Sequence, residues 1–367
     1  MRIGLVCVFP ELCYFYQPFQ WDGDALKILV VSLDNLGDLV FATSLLQSLR
    51  DDFPGGFIGL WCKDYARSIA DLISGVDRIH AADPFWDKSP GRGAGRFSDL
   101  YRSVREIRAE KYDLVLLLTR GSKPLLATSL LGAKATIGRE GNKFSALLVG
   151  AVPGSRPDVA VTLELDRFAC AAHAWFSIVP AARPCSDGTK LPPPYRLNRP
   201  QTSGDSSPVP KGTVALHPFA GSQRRCVPLP VWQDFSRKLI EAGRTVLWIG
   251  SSSELSVIRN TGSHSDHEYF VDQLTGIGSG LRGSIEAISS CGFFVGHDSG
   301  PLHIAGALGV PVLGIYAPGE PGRTFPQGAG ISHWIHRSSP AEFNASLFWD
   351  EFKVALVQCE GVQGNHP

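Results

Sequence analysis

Residues 27–33, Lys-Ile-Leu-Val-Val-Ser-Leu, form an almost unbroken apolar run with no alternation of polar and apolar side chains. A strand of that kind has to be covered on both faces, as in a parallel sheet flanked by helices, so the rest of the chain must supply helical crossovers. It does. After the loop Asp34-Asn-Leu-Gly-Asp38, apolar residues recur at helical spacing (Leu39, Phe41, Leu45, Leu46, Leu49) until Asp51-Asp-Phe-Pro54-Gly-Gly closes the segment. Phe57–Trp61 then reads as a strand, Ala66–Ile73 as a short helix and Arg78–His80 as another edge of the sheet. Tyr101–Lys111 reads as a helix and Asp113–Leu118 as a buried strand. Such alternation specifies an α/β domain with right-handed crossovers.

The same grammar returns after a break in composition. Between Pro180 and Lys211 the chain carries Pro192-Pro-Pro194 and Thr202-Ser-Gly-Asp-Ser-Ser-Pro208 and offers little to bury, as an interdomain linker would. Beyond it, Thr213–His217, Thr245–Ile249, Gly292–Val295 and Val312–Tyr316 read as strands. Trp232–Glu241, stopped at Gly243, Ile285–Ser290 and Leu302–Leu308 read as the helices between them. Pro340–Val357 reads as a final helix with an apolar face, long enough to pack across the domain junction. A chain of 367 residues has room for two domains. The expected divisions are an N-terminal extension (1–25), a first α/β domain (26–180), a linker (181–210), a second α/β domain (211–335) and a C-terminal helix and tail (336–367).

Thirty-five Lys+Arg balance 35 Asp+Glu, so no global field exists to hold nucleic acid or an anionic bilayer by charge alone, and any anion site must be local. No segment is long and apolar enough for a spanning helix, and the apolar N-terminus is cut short by Pro10 and Glu11, so export is not expected. Eight cysteines without a C-x-x-C pair, mostly in apolar surroundings, read as reduced core thiols of a cytoplasmic protein and argue against structural zinc.

Two loops carry the strongest chemistry. In Phe293-Phe-Val-Gly-His-Asp298-Ser299-Gly300-Pro301-Leu-His303, a strand delivers the chain into a helix start, with Ser299 or Asp298 suited to the N-cap and Pro301 to the first turn. Unpaired backbone N–H groups and the positive dipole end then converge on a spot fit for a phosphate, although an ordinary capped helix would look the same. Gly300 and Gly306 would let a ligand and the neighbouring strand approach closely. In Asp34-Asn35-Leu-Gly37-Asp38, a carboxylate stands at the carboxyl end of the first strand, where open α/β sheets bind ligands. Gly37 would allow an unusual backbone turn, and Asp38 is read either as an active-site acid or as a simple cap.

Supporting residues follow other strands. Ser222-Gln-Arg224-Arg225 offers guanidiniums for phosphate, Glu254 a carboxylate for a ribose or a helix cap, and Arg120 and Lys123 cations for an acceptor unless they are plain solvated surface. The Asp22-Gly-Asp24 and His264-Ser-Asp-His267 pairs lack the setting of a metal site. Neither a dinucleotide fingerprint, a P-loop nor a G-x-S-x-G elbow is present, which counts against nicotinamide enzymes, most NTPases and esterases.

Taken together, Lys27–Leu46, the His217-Pro-x-Ala-Gly-Ser222 turn and Gly296-His-Asp-Ser-Gly-Pro-Leu-His-Ile-Ala-Gly-Ala-Leu-Gly-Val-Pro311 resemble glycosyltransferase family 9, the ADP-heptose:lipopolysaccharide heptosyltransferases, over about residues 26–335. The resemblance implies a GT-B fold, two Rossmann-like domains facing a cleft, with acceptor on the first and nucleotide sugar on the second. It implies Asp38 as general base, with Asn35, Gly37, Arg120 and Lys123 toward the acceptor. Ser222, Arg225, Glu254, Asp298, Ser299, Gly300 and His303 would hold the donor, Glu254 at its ribose. Arg225-Cys-Val-Pro228 stands where the family usually has Lys-x-Trp-Pro, which keeps the charge but puts Val227 for tryptophan; Tyr316-Ala-Pro318 replaces the usual Phe-Gly-Pro.

The function expected is therefore inverting transfer of heptose from ADP-heptose to a lipopolysaccharide inner-core acceptor, without metal or cofactor. The enzyme would be cytoplasmic, peripheral on the inner membrane. A protein, O-antigen or natural-product acceptor is the alternative within the fold, and a non-catalytic nucleotide-sugar-binding protein the alternative outside it.

Overall fold

The computed structural model describes residues 26–87, 95–141, 143–153, 159–176, 192–200, 209–262, 264–273, 280–326, 328 and 330–363. It also describes two short strands that pair antiparallel, β1 (Gly4–Leu5) and β2 (Phe15–Tyr16). Asp22 and Asp24 lie outside the described residues, as does most of the linker stretch. The chain divides into two compact units, Met1–Pro193 and Pro194–Pro367.

In the first unit, β3 (Lys27–Ser32), β4 (Phe57–Cys62), β5 (Arg78–Ala81), β6 (Leu114–Leu117), β7 (Ala135–Arg139) and β8 (Gly150–Val152) form a six-stranded parallel sheet in the order β5-β4-β3-β6-β7-β8. The connecting helices are α1 (Leu36–Asp52), α2 (Arg67–Ala70), α3 (Phe97–Glu110), α4 (Ser122–Ser129) and α5 (Val161–Trp175). Val30, opposite Leu60 on one side and Leu116 on the other, is fully buried, which is why the run 27–33 tolerates no alternation.

The second unit repeats this plan. Strands β9 (Val214–His217), β10 (Val246–Trp248), β11 (Glu268–Phe270), β12 (Phe293–His297), β13 (Val312–Tyr316) and β14 (Ser332–His336) run parallel in the order β11-β10-β9-β12-β13-β14. Helices α6 (Leu229–Glu241), α7 (Ser252–Asn260), α8 (Gly280–Ser289), α9 (Gly300–Ala307), α10 (Pro321–Thr324) and α11 (Ala345–Gln363) complete it. In each sheet the order in which strands are added thus reverses at its first strand, between β3 and β6 and between β9 and β12. Loops leaving the carboxyl ends of strands on either side of such a reversal splay apart and open a crevice for ligands.

Three expectations need amending. The segment 192–200, part of the stretch read as offering little to bury, hides Tyr195 and Leu197, and the Leu197 N–H donates to Ala307 O at 2.9 Å. Helix α11 lays its buried face on its own unit: Phe348 meets Trp232 and Phe235 with ring centroids at 5.0 and 5.5 Å, and Phe352 meets Phe293 at 4.9 Å. Removing each such ring from water contributes about 2–3 kcal/mol. Finally, Cys62, Cys226, Cys291 and Cys359 are free thiols, but Cys170 is disulfide-bonded, against the reading of reduced thiols throughout. Among the described residues no helix is long and apolar enough to cross a membrane.

Candidate functional site

At the first reversal, β3 ends into the start of α1. Asn35 is the N-cap residue, in extended conformation, and its N–H donates to Asp38 Oδ2 at 3.1 Å. Asp38 therefore sits three residues into the capped turn, exposed, with one carboxylate oxygen spent on the helix start and the dipole favouring its charge. The cap reading and the active-site reading of Asp38 are thus compatible. Gly37 lies inside the first turn of α1 and uses no left-handed backbone, so the unusual turn expected there is absent.

Asp34, just before the cap, is a perturbed acid. Burial, and then the neighbouring Asp38 charge, push its carboxyl up to about 6, against the opposing pull of the Thr119 hydroxyl, Lys63 and Arg139. Thr119 follows β6 across the reversal. Its Oγ1 accepts the Leu33 N–H at 2.6 Å, which leaves the hydroxyl proton for Asp34. The two cations are themselves paired, the buried Lys63 with Asp87 at 2.7 Å and the half-buried Arg139 with Glu164 at 3.3 Å. Sequence reasoning passed over Thr119, Lys63 and Arg139. Thr119 and Lys63 could have been found as residues just past strands neighbouring β3, whereas Arg139 closes β7, a strand the pattern did not reveal.

Arg120 and Lys123, paired in the sequence reading, line different hollows. Arg120 borders a cavity of about 340 Å³ together with Thr119, Gly121, Arg139 and Lys143. Lys123 stands on the rim of an apolar groove beside Leu126 and Leu130.

At the second reversal, β12 delivers Asp298 and Ser299 to the start of α9, facing the loop after β9. Asp298 Oδ2 accepts from Arg225 at 3.4 Å and Oδ1 meets His303 Nε2 at 3.2 Å. Burial opposes charge on Asp298, but His303, Arg225 and the Thr324 hydroxyl outweigh it and hold the carboxyl below its ordinary range. Asp298 is thereby an ionised anchor that fixes one cation and one imidazole at the mouth of α9. Ser299 occupies the N-cap without capping. Its hydroxyl donates backward to His297 O at 3.1 Å, and Pro301 brings no N–H, so Gly300 and the dipole end are presented to solvent or ligand. A Cβ on Gly306 would come within 2.8 Å of Pro326 Cβ, so the close approach expected there is made by a loop, not a strand.

Behind this loop His297 is locked neutral. The Val227 N–H donates to its Nε2 at 3.1 Å, its Nδ1 faces Ile315 O at 3.3 Å, and burial pushes its pKa down to about 3. Val227, in the position where tryptophan was expected, is buried and thus tethers the Arg225 loop to β12 through its backbone. Ser222 and Arg224 are exposed on that loop. Glu254 forms a capping box: its Oε2 accepts the Ser251 N–H and hydroxyl, each at 2.8 Å, and Oε1 takes no part in the box. Among the described residues no group of three or more His, Cys, Asp and Glu side chains is arranged to hold a metal ion.

Two reversals of strand order, one carrying carboxylates and the other an anion-ready helix start, invite comparison with known proteins. The family model of glycosyltransferase family 9 (heptosyltransferase) matches residues 100–345. The chain is 24% identical over 319 residues to lipooligosaccharide heptosyltransferase 2 of Haemophilus ducreyi, a match covering 82% of this chain and 86% of that protein. Among solved structures, E. coli ADP-heptose lps heptosyltransferase II superposes with a TM-score of 0.69 at 18% identity, over 91% of this chain and 100% of the other. E. coli heptosyltransferase WaaC with ADP gives 0.66 at 14% identity, over 90% and 100%. At such identities the structural likeness is one of fold, the GT-B fold. The chain belongs to glycosyltransferase family 9, the heptosyltransferases, and is a glycosyl-transferring enzyme.

Proposed function

We propose that this enzyme transfers heptose from ADP-heptose to a lipopolysaccharide inner-core acceptor, with inversion, at the cytoplasmic face of the inner membrane. The observation that carries the reading is the division of chemistry between the two strand reversals: an exposed carboxylate at one and an electropositive helix start at the other. The names of the relatives, lipooligosaccharide and lipopolysaccharide heptosyltransferase 2, support the donor and acceptor classes.

In the proposed reaction an acceptor hydroxyl attacks the anomeric carbon while its proton passes to Asp38. The bond from that carbon to the β-phosphate oxygen breaks, and ADP leaves with the electron pair. Charge growing on the departing diphosphate meets the Gly300 N–H at the start of α9, the helix dipole and the Arg225 guanidinium that Asp298 keeps in place. Ser222, Ser299, Gly300 and His303 border the same donor site, and Oε1 of Glu254 is available to a ribose hydroxyl. The cavity bordered by Arg120, Arg139 and Lys143, with Asn35 and Gly37 at the neighbouring loop, suits an anionic sugar acceptor.

The test is a donor screen that reads nucleotide release with and without heptose-free lipooligosaccharide. ADP-heptose should turn over only with acceptor present, and EDTA should leave most of the activity. Turnover of a different nucleotide sugar in preference, or complete loss with EDTA restored by Mg²⁺ or Mn²⁺, would sink the reading.

A further inference from the structure

Helix α3 sorts its side chains by face. Phe97, Tyr101, Val104, Arg105 and Arg108, at spacings of three, four and one, look onto the apolar groove of about 490 Å³ against α4, whereas Asp99, Arg102 and Glu106 line a different cavity. The groove carries no carboxylate in its lining, and its rim is cationic through Arg105, Arg108 and Lys123. Of the eleven large hydrophobic side chains exposed among the described residues, Phe85, Phe97, Tyr101, Leu126 and Leu130 gather here. The aromatics form a continuous chain: Phe85 touches Trp86 at 4.9 Å and Phe97 at 5.5 Å between ring centroids, and Phe97 stacks on Tyr101 at 6.5 Å. Phe97 is 65% exposed, far more than a ring in a finished core.

We propose that this face, α3 with the flank of α4, docks on an anionic lipid bilayer, the rings and leucines entering the headgroup boundary and the arginines meeting lipid phosphates. Amphipathic surfaces of this make-up, with aromatic and leucine side chains between basic ones, lie in the membrane interface because apolar burial and attraction to anionic headgroups act together. A protein of zero net charge gains such attraction only where cations are segregated, as they are here. The same helix connects the face to the proposed acceptor cavity: Leu125 of α4 lines that cavity and Leu126 the groove. A lipid-linked acceptor could thus keep its chains in the bilayer while its sugars reach Arg120. That last step rests on the transfer reading above; the docking itself does not.

The experiment is sedimentation of the full chain with phosphatidylglycerol/phosphatidylethanolamine vesicles and, separately, with phosphatidylcholine vesicles, without donor or acceptor. Binding should be confined to the anionic vesicles and weaken with salt. Arg105→Ser should lower the partition coefficient about fivefold, and Phe97→Ser with Tyr101→Ser about tenfold or more. Melting temperature and turnover on a soluble deacylated acceptor should stay unchanged in both variants. Equal binding to both vesicle types, or wild-type partitioning by the folded double variant, would overturn the proposal. So would a wild-type dimer that the double variant converts to monomer, since a second copy would then cover the face. Because turnover on soluble acceptor is read separately, loss of vesicle binding leaves the transfer reading standing, and absence of turnover leaves the docking result standing.

Discussion

At the β3/β6 reversal two carboxylates, Asp34 and Asp38, follow one strand, and the cations nearest Asp34, Lys63 and Arg139, are already committed to Asp87 and Glu164. At the β9/β12 reversal a single carboxylate, Asp298, is surrounded by Arg225, His303 and Thr324. The sheets are the same in order and direction, so the fold sets only where the loops leave. The loop residues decide the electrostatics. One site holds an acid pushed up to about 6 beside an exposed carboxylate, the other an acid held ionised as an anchor. In the proposed reaction the first would receive a proton and the second would steady a leaving anion.

Removing the exposed carboxylate should break the comparison most severely. Asp38→Asn is expected to lower kcat by about 10²–10⁴ with the donor Kd nearly unchanged. Steady-state kinetics and calorimetry with ADP-heptose check this, and a collapse of donor affinity at constant kcat would make Asp38 a cap and nothing more. On the other side, Arg225→Ala should weaken ADP binding about 10–100-fold, the range of a hydrogen bond to a charged group, with Asp38-dependent turnover retained at saturating donor. Unaltered ADP affinity would remove Arg225 from the donor site.

The smallest effect concerns stability. Asp34 has a folded pKa of about 6 against an ordinary 3.8, so the folded state holds its proton more tightly than the unfolded one. Ionising it therefore costs stability as pH rises from 3.8 through 6, and nothing below that window. Asp34→Asn should accordingly be more stable than the wild type at pH 8, on the order of 2–3 kcal/mol, and nearly equal to it at pH 4. Urea unfolding at both pH values measures this; a gain that is the same at both would show that charge on Asp34 is not the cause.

Much of this was legible in the sequence because it is local. Apolar runs such as Lys27–Ser32 and Val312–Tyr316 name buried parallel strands directly, and the loops after them hold the chemistry, since strand ends are where this architecture binds ligands. What escaped was made by pairing between distant segments. β7, β8, β11 and β14 are short or carry few apolar residues and are recruited by neighbours already in the sheet, so their own sequences speak weakly. The Thr119 link to Leu33 and Asp34, and the tether from Val227 to His297, join positions far apart in the chain and could not be read from spacing. The same holds for the separation of Arg120 from Lys123, three residues apart yet on different hollows because α4 begins between them.

The central claim is a single displacement, with Asp38 taking the acceptor proton as ADP departs. The anomeric configuration of the transferred heptose, read by NMR on product made from ADP-heptose and heptose-free lipooligosaccharide, tests it most directly. The account predicts a product inverted relative to the donor, formed by the wild type and lost with Asp38→Asn. A product retaining the donor's configuration, or inverted product formed at the wild-type rate by Asp38→Asn, would contradict it.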